Sequence, residues 1–328
     1  MTPPAHAPEF LAECGWEGAR IEPLAGDASF RRYFRVSDGD RSAVLMDAPP
    51  PMEDVRPFVA VAEWLQSVGL SAPEILARDI DHGLLLLDDF GTWRLREIAD
   101  EDPSRERELY ELATDVLIHL HQHPPMPGLP PHGPQQWLEE LALFTDWYCP
   151  ALGLSVDIDG YRAAWAQVLE PVARDGLGPV TVLRDFHAEN VMLIGGREGI
   201  RHFGLLDFQD ALVGHSAYDL VSLLQDARRD VSPELERAML DRYLAQVDAG
   251  EHFEADYARL GAQRNAKIVG IFARLWKRDG KPRYLAMIPR VWEAMERDLR
   301  HPAMAPVATW FAANIPQEIR DTGGGELQ

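Results

Sequence analysis

Cysteine, long hydrophobic runs and basic residues are all scarce in this sequence. The 328 residues include two cysteines, Cys14 and Cys149, which are too few for a disulfide framework and favour a reducing compartment. No apolar stretch approaches the length of about 20 residues that spans a bilayer. The amino terminus has neither a basic leader nor an apolar core, which argues against a signal peptide. These absences predict a cytoplasmic protein without a membrane partner.

Acidic residues outnumber basic ones by 53 to 32, which gives a formal net charge of -21. Such a chain repels the phosphates of nucleic acid and the head groups of anionic lipids, so neither is an expected partner. Two interpretations of the acidity remain open: attraction of a cationic substrate, or a well-solvated surface. The second is preferred because net charge bears on solubility before function. We expect a monomer.

The pattern of apolar residues changes along the chain. Short strands separated by polar turns are predicted over 20–48 and 74–87, with a helix at 58–68 between them. From residue 104 the pattern is mostly helical, apart from a β-rich stretch at 180–210. The predicted helices span 105–121, 135–148, 160–174, 218–228, 233–246, 253–277 and 283–299. A chain of 328 residues is long for one core, so two lobes are expected. The prediction is an α+β protein with a small β-rich N-terminal lobe at 1–87, a hinge at 88–92 and a larger, mostly helical C-terminal lobe at 93–328.

The strongest chemical signal is the segment LRDFHAEN at 183–190. It places Asp185 five residues before Asn190, the spacing of a kinase catalytic loop. An aspartate can accept the proton of an attacking hydroxyl, and a neutral amide oxygen nearby can bind Mg²⁺ without adding charge. Seventeen residues further on, the apolar run LLDFQ presents Asp207, a carboxylate suited to a metal that bridges phosphates. Together, and in this order, the motifs favour a kinase over two ordinary acidic surface turns.

These motifs and the segment AYDL at 217–220 resemble the aminoglycoside/choline phosphotransferase family over roughly residues 24–299. The resemblance implies a bilobal protein-kinase-like fold that uses ATP and Mg²⁺. The family often has His-Gly-Asp where this chain has Leu-Arg-Asp, so Arg184 is closer to the protein-kinase form. The resemblance assigns catalysis to Asp185, metal binding to Asn190 and Asp207, orientation of the loop to His187, and structural support to Arg184 and Asp219.

Three longer segments narrow the resemblance: GDASFRRYFRV at 26–36, VLMDAPPP at 44–51 and GIFARLWKRDGKPRY at 270–284. They are similar to those of the bacterial anomeric kinases of N-acetylmuramate and N-acetylglucosamine, which phosphorylate the C1 hydroxyl of cell-wall amino sugars during peptidoglycan recycling. Two alternatives remain. One is an aminoglycoside or other small-alcohol phosphotransferase, whose acceptor pocket would be strongly acidic. The other is a non-catalytic nucleotide-binding scaffold.

One departure from the kinase pattern concerns the cation that binds the nucleotide phosphates. The third strand of a kinase usually supplies a lysine paired with a glutamate of the next helix, but this chain has Met46 and Phe58 at about those positions. The loss of both the lysine and the glutamate is chemically consistent, since one of these charges left alone in a half-buried position would be costly. Arg31 and Arg32 are the candidate substitutes, assisted by Ser29 and backbone amides of the same turn. The alternative for both arginines is a solvated strand face.

The remaining candidates concern adenine and the acceptor. Adenine is expected to bind backbone groups at Leu87, Asp88, Asp89 and Phe90. Acceptor binding is predicted for Asp146, Trp147, Asp185, Asp210, Arg274 and Lys277. A turn residue is the alternative for Asp210, and core packing is the alternative for Trp147, whose indole could also stack on a sugar. Arg228 and Arg229 are interpreted as cations at the end of an amphipathic helix, where they meet the helix dipole favourably, and the alternative is a role in binding the muramate carboxylate.

Overall fold

The computed structural model of the protein describes residues 2–24, 30–175 and 178–327. The chain forms two compact units, Met1–Arg105 with Asn190–Ala211, and Glu106–Glu189 with Leu212–Gln328. The first unit contains an extended β-sheet, whereas the second is mostly helical, which confirms the predicted α+β class. The predicted lobe boundaries around residues 88–92 stay a prediction.

The secondary structure follows the predicted order. In chain order the strands are β1 (Arg20–Pro23), β2 (Arg32–Asp38), β3 (Arg41–Asp47), β4 (Ile75–Asp79), β5 (Leu84–Asp88), β6 (Val180–Val182), β7 (Val191–Leu193), β8 (Phe203–Leu205) and β9 (Leu212–Gly214). The helices are α1 (Ala7–Glu13), α2 (Arg56–Ser67), α3 (Leu95–Glu101), α4 (Glu106–His121), α5 (Pro134–Leu143), α6 (Cys149–Ala151), α7 (Ile158–Asp175), α8 (Ala217–Leu224), α9 (Pro233–Leu244), α10 (Phe253–Lys277), α11 (Ile288–Leu299), α12 (Ala305–Asn314) and α13 (Gln317–Asp321). Of these, α1, α3, α6, α12 and α13 are additional to the predicted elements.

The first unit is built on a five-stranded antiparallel sheet in the order β1-β2-β3-β5-β4. Successive residues of a strand point to opposite faces of a sheet. Tyr33 and Met46 pair in register across β2 and β3 and therefore share one face. The opposite face is apolar and packs against α1; it presents Phe34, Val36, Ala43, Leu45, Leu84 and Leu86.

The first unit also contains the antiparallel hairpin of β7 and β8. Asn190 directly precedes β7, and Asp207 lies two residues after β8. Phe90, in the predicted hinge, packs on this hairpin at Gly204. A Cβ atom at Gly204 would lie 2.4 Å from the Phe90 ring, so only glycine permits this contact without a shift. The hinge segment and the hairpin are thereby held together within one unit.

The second unit is organised around α10, whose bounds agree with the predicted helix. At Gly270 a Cβ atom would lie 2.4 Å from the carbonyl carbon of Leu143. The glycine therefore lets α10 meet the end of α5 backbone to backbone, where α5 continues into a π-helical turn at Phe144–Tyr148. Such turns are rare and are frequent at functional sites. No helix in the described ranges is both long and apolar enough to cross a membrane.

Candidate active site

The start of the LRDFHAEN segment is held by buried Asp219 of α8, within the second unit. The Asp219 carboxylate accepts hydrogen bonds from the backbone N–H groups of Leu183 at 2.7 Å and Arg184 at 2.9 Å. Burial raises the pKa of Asp219 to about 7, although these two hydrogen bonds act to lower it. Arg184 has a φ of 70°, which is costly for a residue with a side chain and persists only where surrounding contacts determine it. Asp219 thus holds the backbone immediately before Asp185, the segment for which it is predicted to provide structural support.

Asp185 lies in the tightly turned backbone that follows. Its N–H donates to the carbonyl of Leu183 at 2.9 Å, and its own carbonyl accepts from the N–H of His187 at 3.1 Å. The side chain is half-buried. The main chain on both sides of the predicted base is therefore fixed by short-range hydrogen bonds.

The end of the same segment is held by residues that follow α8. The N–H of Ala188 donates to Asp226 Oδ2 at 3.1 Å. Arg228 Nη1 donates to Nε2 of buried His187 at 3.1 Å, and Arg228 Nε lies 3.1 Å from Glu189 Oε2. Because His187 Nε2 accepts a hydrogen bond from an arginine, this nitrogen is occupied as an acceptor. The contact supports an orienting role for His187 rather than a role as a base.

The interpretation of Arg228 and Arg229 as helix-end cations is wrong. The helix α8 ends at Leu224, before either arginine, because the chain leaves helical geometry at Gln225. Arg228 contacts the catalytic segment, and Arg229 pairs with Glu106 at 2.5 Å. Both arginines therefore form specific ion pairs within the second unit.

Arg184 is anchored through its side chain as well as its backbone. Its Nη2 donates to Glu140 Oε1 of α5 at 2.8 Å, and Lys267 Nζ of α10 donates to the same oxygen at 2.8 Å. Burial acts to raise the pKa of Glu140, but His132 and Lys267 hold it below its usual range. An ionised Glu140 therefore joins α5, α10 and the catalytic segment at one point.

The two predicted metal ligands lie side by side in the first unit. Asn190 Nδ2 is 3.4 Å from Asp207 Oδ2, and Gln209 Nε2 donates to Asp207 Oδ1 at 2.8 Å. Asp207 has a φ of 59°; among the described residues other than glycine, only Asp207 and Arg184 have a positive φ. An amide and a carboxylate provide hard oxygen donors with one negative charge. This partial donor set fits Mg²⁺, which usually takes its other ligands from water and phosphates.

The predicted hinge residues use their side chains for structural contacts. Asp88 accepts from the N–H of Glu74 at 2.6 Å and lies 3.6 Å from Arg197, while burial raises its pKa. Asp89 forms a bidentate pair with Arg35 at 2.7 and 3.1 Å. Leu87 and Phe90 are buried. The side chains are thus committed elsewhere, and binding of adenine by backbone groups at these residues stays a prediction.

The candidate substitutes for the missing lysine differ sharply in their contacts. Arg32 Nε donates to nearly fully buried Asp47 at 2.7 Å, directly across the β2–β3 pairing, and its Nη1 donates to the carbonyl of Thr2 at 3.3 Å. Arg31 Nε lies 3.3 Å from Glu53 Oε2, and both side chains are mostly buried. Neither arginine lies on a solvated strand face. Ser29 lies outside the described residues.

The lysine and glutamate positions of the kinase pattern are apolar in the structure. Met46 is fully buried, and Phe58 is 4% exposed. The Phe58 ring packs on the ring of Phe208, the residue after Asp207, with centroids 4.9 Å apart. The aromatic contact between Phe58 and Phe208 therefore replaces the contact that the glutamate makes in the usual kinase pattern.

The predicted acceptor residues fall into both units. Asp210 is exposed in the first unit, beside the metal-ligand pair in the sequence. Asp146 and Trp147 lie on the π-helical turn of the second unit, exposed and half-buried respectively. Arg274 lies one turn beyond Gly270 on α10, and exposed Lys277 stands 4.3 Å from the Trp276 ring centroid.

Sequence reasoning did not identify Glu53, Glu140 or Asp226 as supports of the site. Each is distant in sequence from the residue it holds, and motif spacing carries no information about such pairs. Asp226 lies two residues beyond the end of α8, so helical spacing from Asp219 does not place it. Glu53 and Glu140 reach their partners only when the elements pack, so the sequence alone does not identify them.

The fold and these motifs define a protein-kinase-like phosphotransferase. A choline kinase from Streptococcus pneumoniae has a similar solved structure, with a TM-score of 0.64 and 12% identity, covering 92% of this chain and 99% of that chain. An ADP-bound aminoglycoside phosphotransferase gives a TM-score of 0.55 at 14% identity, covering 87% and 93%. At such identities the likeness concerns the fold, and it confirms the predicted fold class.

Residues 20–262 match the phosphotransferase enzyme family, and the chain belongs to that family. Among curated proteins it is similar to an N-acetylmuramate/N-acetylglucosamine kinase from Caulobacter vibrioides, with 39% identity covering 95% of this chain and 96% of that protein. A protein of the same name from Pseudomonas aeruginosa is 39% identical, covering 94% of each chain. The resemblance stated from the motifs is thereby confirmed.

Proposed function

We propose that this chain is an ATP-dependent kinase of the anomeric C1 hydroxyl of N-acetylmuramate, N-acetylglucosamine or both, acting in peptidoglycan recycling. The observation that carries the proposal is the 39% identity, over 94–95% of the chain, to two proteins named as kinases of these sugars. We place the reaction in the cytoplasm, where ATP is available and the free thiols of Cys14 and Cys149 stay reduced. The enzyme would act as a monomer.

Asp185 would accept the proton of the C1 hydroxyl as that oxygen attacks the γ-phosphorus in line. The hydrogen bonds from Leu183 and Arg184 to Asp219 support this role, because they fix the backbone from which Asp185 projects. Transfer of a phosphoryl group needs little covalent help from the protein, so positioning and electrostatics carry most of the catalysis. The carboxylate of Asp185 must therefore be held in a fixed orientation toward the C1 hydroxyl.

Asn190 and Asp207 would hold Mg²⁺, which when bound neutralises charge on the β- and γ-phosphates. Their adjacency in the first unit and the oxygen donors they offer support this assignment. Gln209 donates to one oxygen of Asp207 and so restrains the carboxylate. Leu87, Asp88, Asp89 and Phe90 would present backbone groups to adenine.

All of the predicted acceptor residues except Asp210 belong to the second unit, where Arg274 would face the lactyl carboxylate of N-acetylmuramate. Burial, followed by the charge of Arg278, lowers the pKa of Arg274 despite the opposing charge of Asp279. Its Nε is buried without a hydrogen-bond partner in the described part of the chain. An anionic ligand would supply the missing partner, whereas a cationic aminoglycoside would be repelled. Trp147 and Lys277 lie on adjoining elements and are proposed to complete this side, with Asp146 and Asp210 as polar contacts.

The position of phosphorylation gives a direct test. Only one hydroxyl of a bound sugar can lie against Asp185 in attack geometry. Methylation of the C1 oxygen removes the nucleophile and its proton, whereas removal of the C6 hydroxyl deletes a peripheral contact. We expect 6-deoxy-N-acetylglucosamine to be phosphorylated and the methyl glycoside of N-acetylglucosamine to be inert, as followed by phosphorus NMR of the products.

A panel of N-acetylmuramate, N-acetylglucosamine, glucose, choline and an aminoglycoside separates the alternatives in the same assay. Turnover of choline or the aminoglycoside alone would assign the chain to another acceptor class. Phosphorylation of the methyl glycoside at C6 would overturn the anomeric assignment and leave a sugar kinase. Absence of ATP turnover with every acceptor would favour the nucleotide-binding scaffold.

A further inference from the structure

We propose that Arg31 and Glu53 form a relocated phosphate-binding ion pair, in which Arg31 contacts the nucleotide phosphates and Glu53 is the positioning residue that orients it. The inference rests on the ATP use stated under the proposed function, but not on the identity of the acceptor. All of the residues that carry it belong to the first unit.

The usual place for such a pair cannot hold charge in this chain. Met46 has no solvent exposure and pairs in register with Leu85 of β5 and Tyr33 of β2. Phe58 is packed on Phe208. A kinase that transfers phosphate still needs a cation against the charge of the triphosphate. The cation must therefore come from another position.

Among the arginines of the neighbouring strand, the contacts single out Arg31. Arg32 is bound to Asp47 across the sheet, and Arg35 is bound to Asp89. Both of these carboxylates are almost fully buried, so releasing either arginine to a ligand would leave a buried negative charge without its partner. Arg31 pairs instead with Glu53, which is less deeply buried at 19% exposure, so the pair can stay intact while the guanidinium group contacts a phosphate.

Arg31 also lies in the neighbourhood of the predicted metal ligands. The Tyr33 hydroxyl shares a hydrogen bond with Arg31, and the charges of Asp207 and Glu53 both act on it. Tyr33 therefore lies close to the ion pair and to Asp207 at the same time. A metal ion held by Asp207 would contact the phosphates, so an arginine in the same neighbourhood is placed to contact the same phosphates.

The geometry of the ion pair is suited to orienting Arg31 before the nucleotide binds. Glu53 Oε2 approaches Arg31 at Nε, the nitrogen at the base of the guanidinium group, at 3.3 Å. This contact is an ion pair without hydrogen-bond geometry at Nε, so Glu53 attracts the guanidinium group electrostatically and limits where it lies before the ligand arrives, which lowers the entropy lost on binding. A planar guanidinium fork recognises phosphate in two contacts at once. Glu53 thus does for Arg31 what the helix glutamate does for the lysine in the usual kinase arrangement.

Binding of ATP and of adenosine to the whole chain, each measured by calorimetry with Mg²⁺ present, tests Arg31. Arg31→Ala should weaken ATP by roughly ten- to a hundredfold, the loss expected for hydrogen bonds to a charged group. Adenosine should bind as to the parent, because it has no phosphates. Arg31→Lys should recover part of the loss. The matched control is Arg56→Ala, which removes an exposed arginine paired with Asp54 in the segment next to Glu53.

Steady-state turnover of ATP with the acceptor that the parent uses tests Glu53. Glu53→Gln should lower kcat by about tenfold, because a misoriented contact costs rate more than binding. The KM for ATP should stay within about threefold, since loss of a negative charge near the phosphates offsets the loss of orientation. In the Arg31→Ala background, Glu53→Gln should have no further effect, because the two residues act as a unit. Asp54→Asn is the control for removing a neighbouring carboxylate.

Three results would overturn the inference. The first is equal weakening of ATP and adenosine by Arg31→Ala, which would indicate a general effect on the fold. The second is parental ATP affinity in that variant. The third is an unchanged effect of Glu53→Gln in the Arg31→Ala background. The binding arms need no acceptor, so they remain decisive even if the assignment to amino sugars fails.

Discussion

Nearly fully buried polar side chains are distributed unevenly between the two units. In the described part of the first unit they are Asp47, Ser71 and Gln209, and the rest of its core is apolar. The second unit buries polar clusters around the catalytic segment and along α10. These include His132, His187, Asp219, Ser222, Gln225, Asp226, Glu236, Gln263, Arg264, Asn265 and Asp298.

The two units differ in their polar cores because they differ in the backbone that their side chains must stabilise. The catalytic segment of the second unit departs from regular structure, so its backbone N–H groups need side-chain acceptors, which Asp219 and Asp226 supply. The first unit satisfies its backbone through the sheet. It buries few polar side chains, and it packs Phe58 on Phe208 inside. Hydrogen bonds thus fix irregular backbone, and apolar packing fixes the elements that carry it.

The largest expected effect lies in the hydrogen-bonded unit. Asp185→Asn should lower kcat by about 10²–10⁴-fold, the contribution of general acid–base catalysis, because an amide cannot accept the proton. The affinity for ATP should be nearly unchanged. Steady-state kinetics and calorimetry measure the two quantities. Asp241→Asn, which removes an exposed carboxylate of α9, is the matched control. A kcat within a few-fold of the parent would remove Asp185 from the mechanism.

The next effect concerns the apolar unit. Phe58→Ala should lower the free energy of unfolding by about 3 kcal/mol, because it removes a buried ring and leaves a cavity beside Phe208. Phe58→Leu should recover most of this, since it refills part of the volume. Urea unfolding of the parent and both variants provides the measurement.

Phe30→Ala is the control for this series, because Phe30 is 61% exposed and its truncation should change stability by no more than about 0.5 kcal/mol. If Phe58→Ala were as mild as Phe30→Ala, packing of α2 on Phe208 would not be what holds this part of the first unit.

Motif spacing predicts three residues at the centre of the site, and the structure brings two of them, Asn190 and Asp207, together, while their roles stay predictions. Asp185, Asn190 and Asp207 follow from two short segments, because the chemistry fixes residue types and short separations. The amphipathic pattern of α10 likewise predicts both ends of that helix. Local signals of this kind are contained in the sequence itself.

Partners brought together by packing could not be predicted in the same way. Arg31 and Arg32 look equivalent in sequence, and only the register of β2 on β3 separates them by placing Arg32 opposite Asp47. The end of α8 at Leu224 also depends on tertiary contacts, because Asp226 must turn toward Ala188. Such pairings are decided by the fold rather than by local propensity.

The last expected effect, at most about 1.4 kcal/mol for each pH unit, is a pH dependence of stability that originates in the polar core of the second unit. Asp298 is buried beside Glu236, and one amide, Nε2 of Gln225, donates to both carboxyl groups at 3.0 Å. Burial, with the charge of Glu236 adding to it, raises the pKa of Asp298 well above its usual range. Gly261 of α10 packs on this carboxyl group, and a Cβ atom there would lie 2.4 Å from Oδ2.

The sign of the effect follows from the raised pKa. Between the ordinary pKa of an aspartate and the raised value, the unfolded chain has lost the Asp298 proton and the folded chain retains it, so stability falls as pH rises. One group contributes at most about 1.4 kcal/mol per pH unit in this window. An asparagine side chain cannot ionise, so the free energy of unfolding of Asp298→Asn minus that of the parent should grow from pH 5 to pH 8. Chemical denaturation at each pH measures the difference, in which the other titrating groups cancel. A difference independent of pH would mean that Asp298 is ionised in the folded protein, and the buried polar core of the second unit would then hold two adjacent negative charges on a single amide.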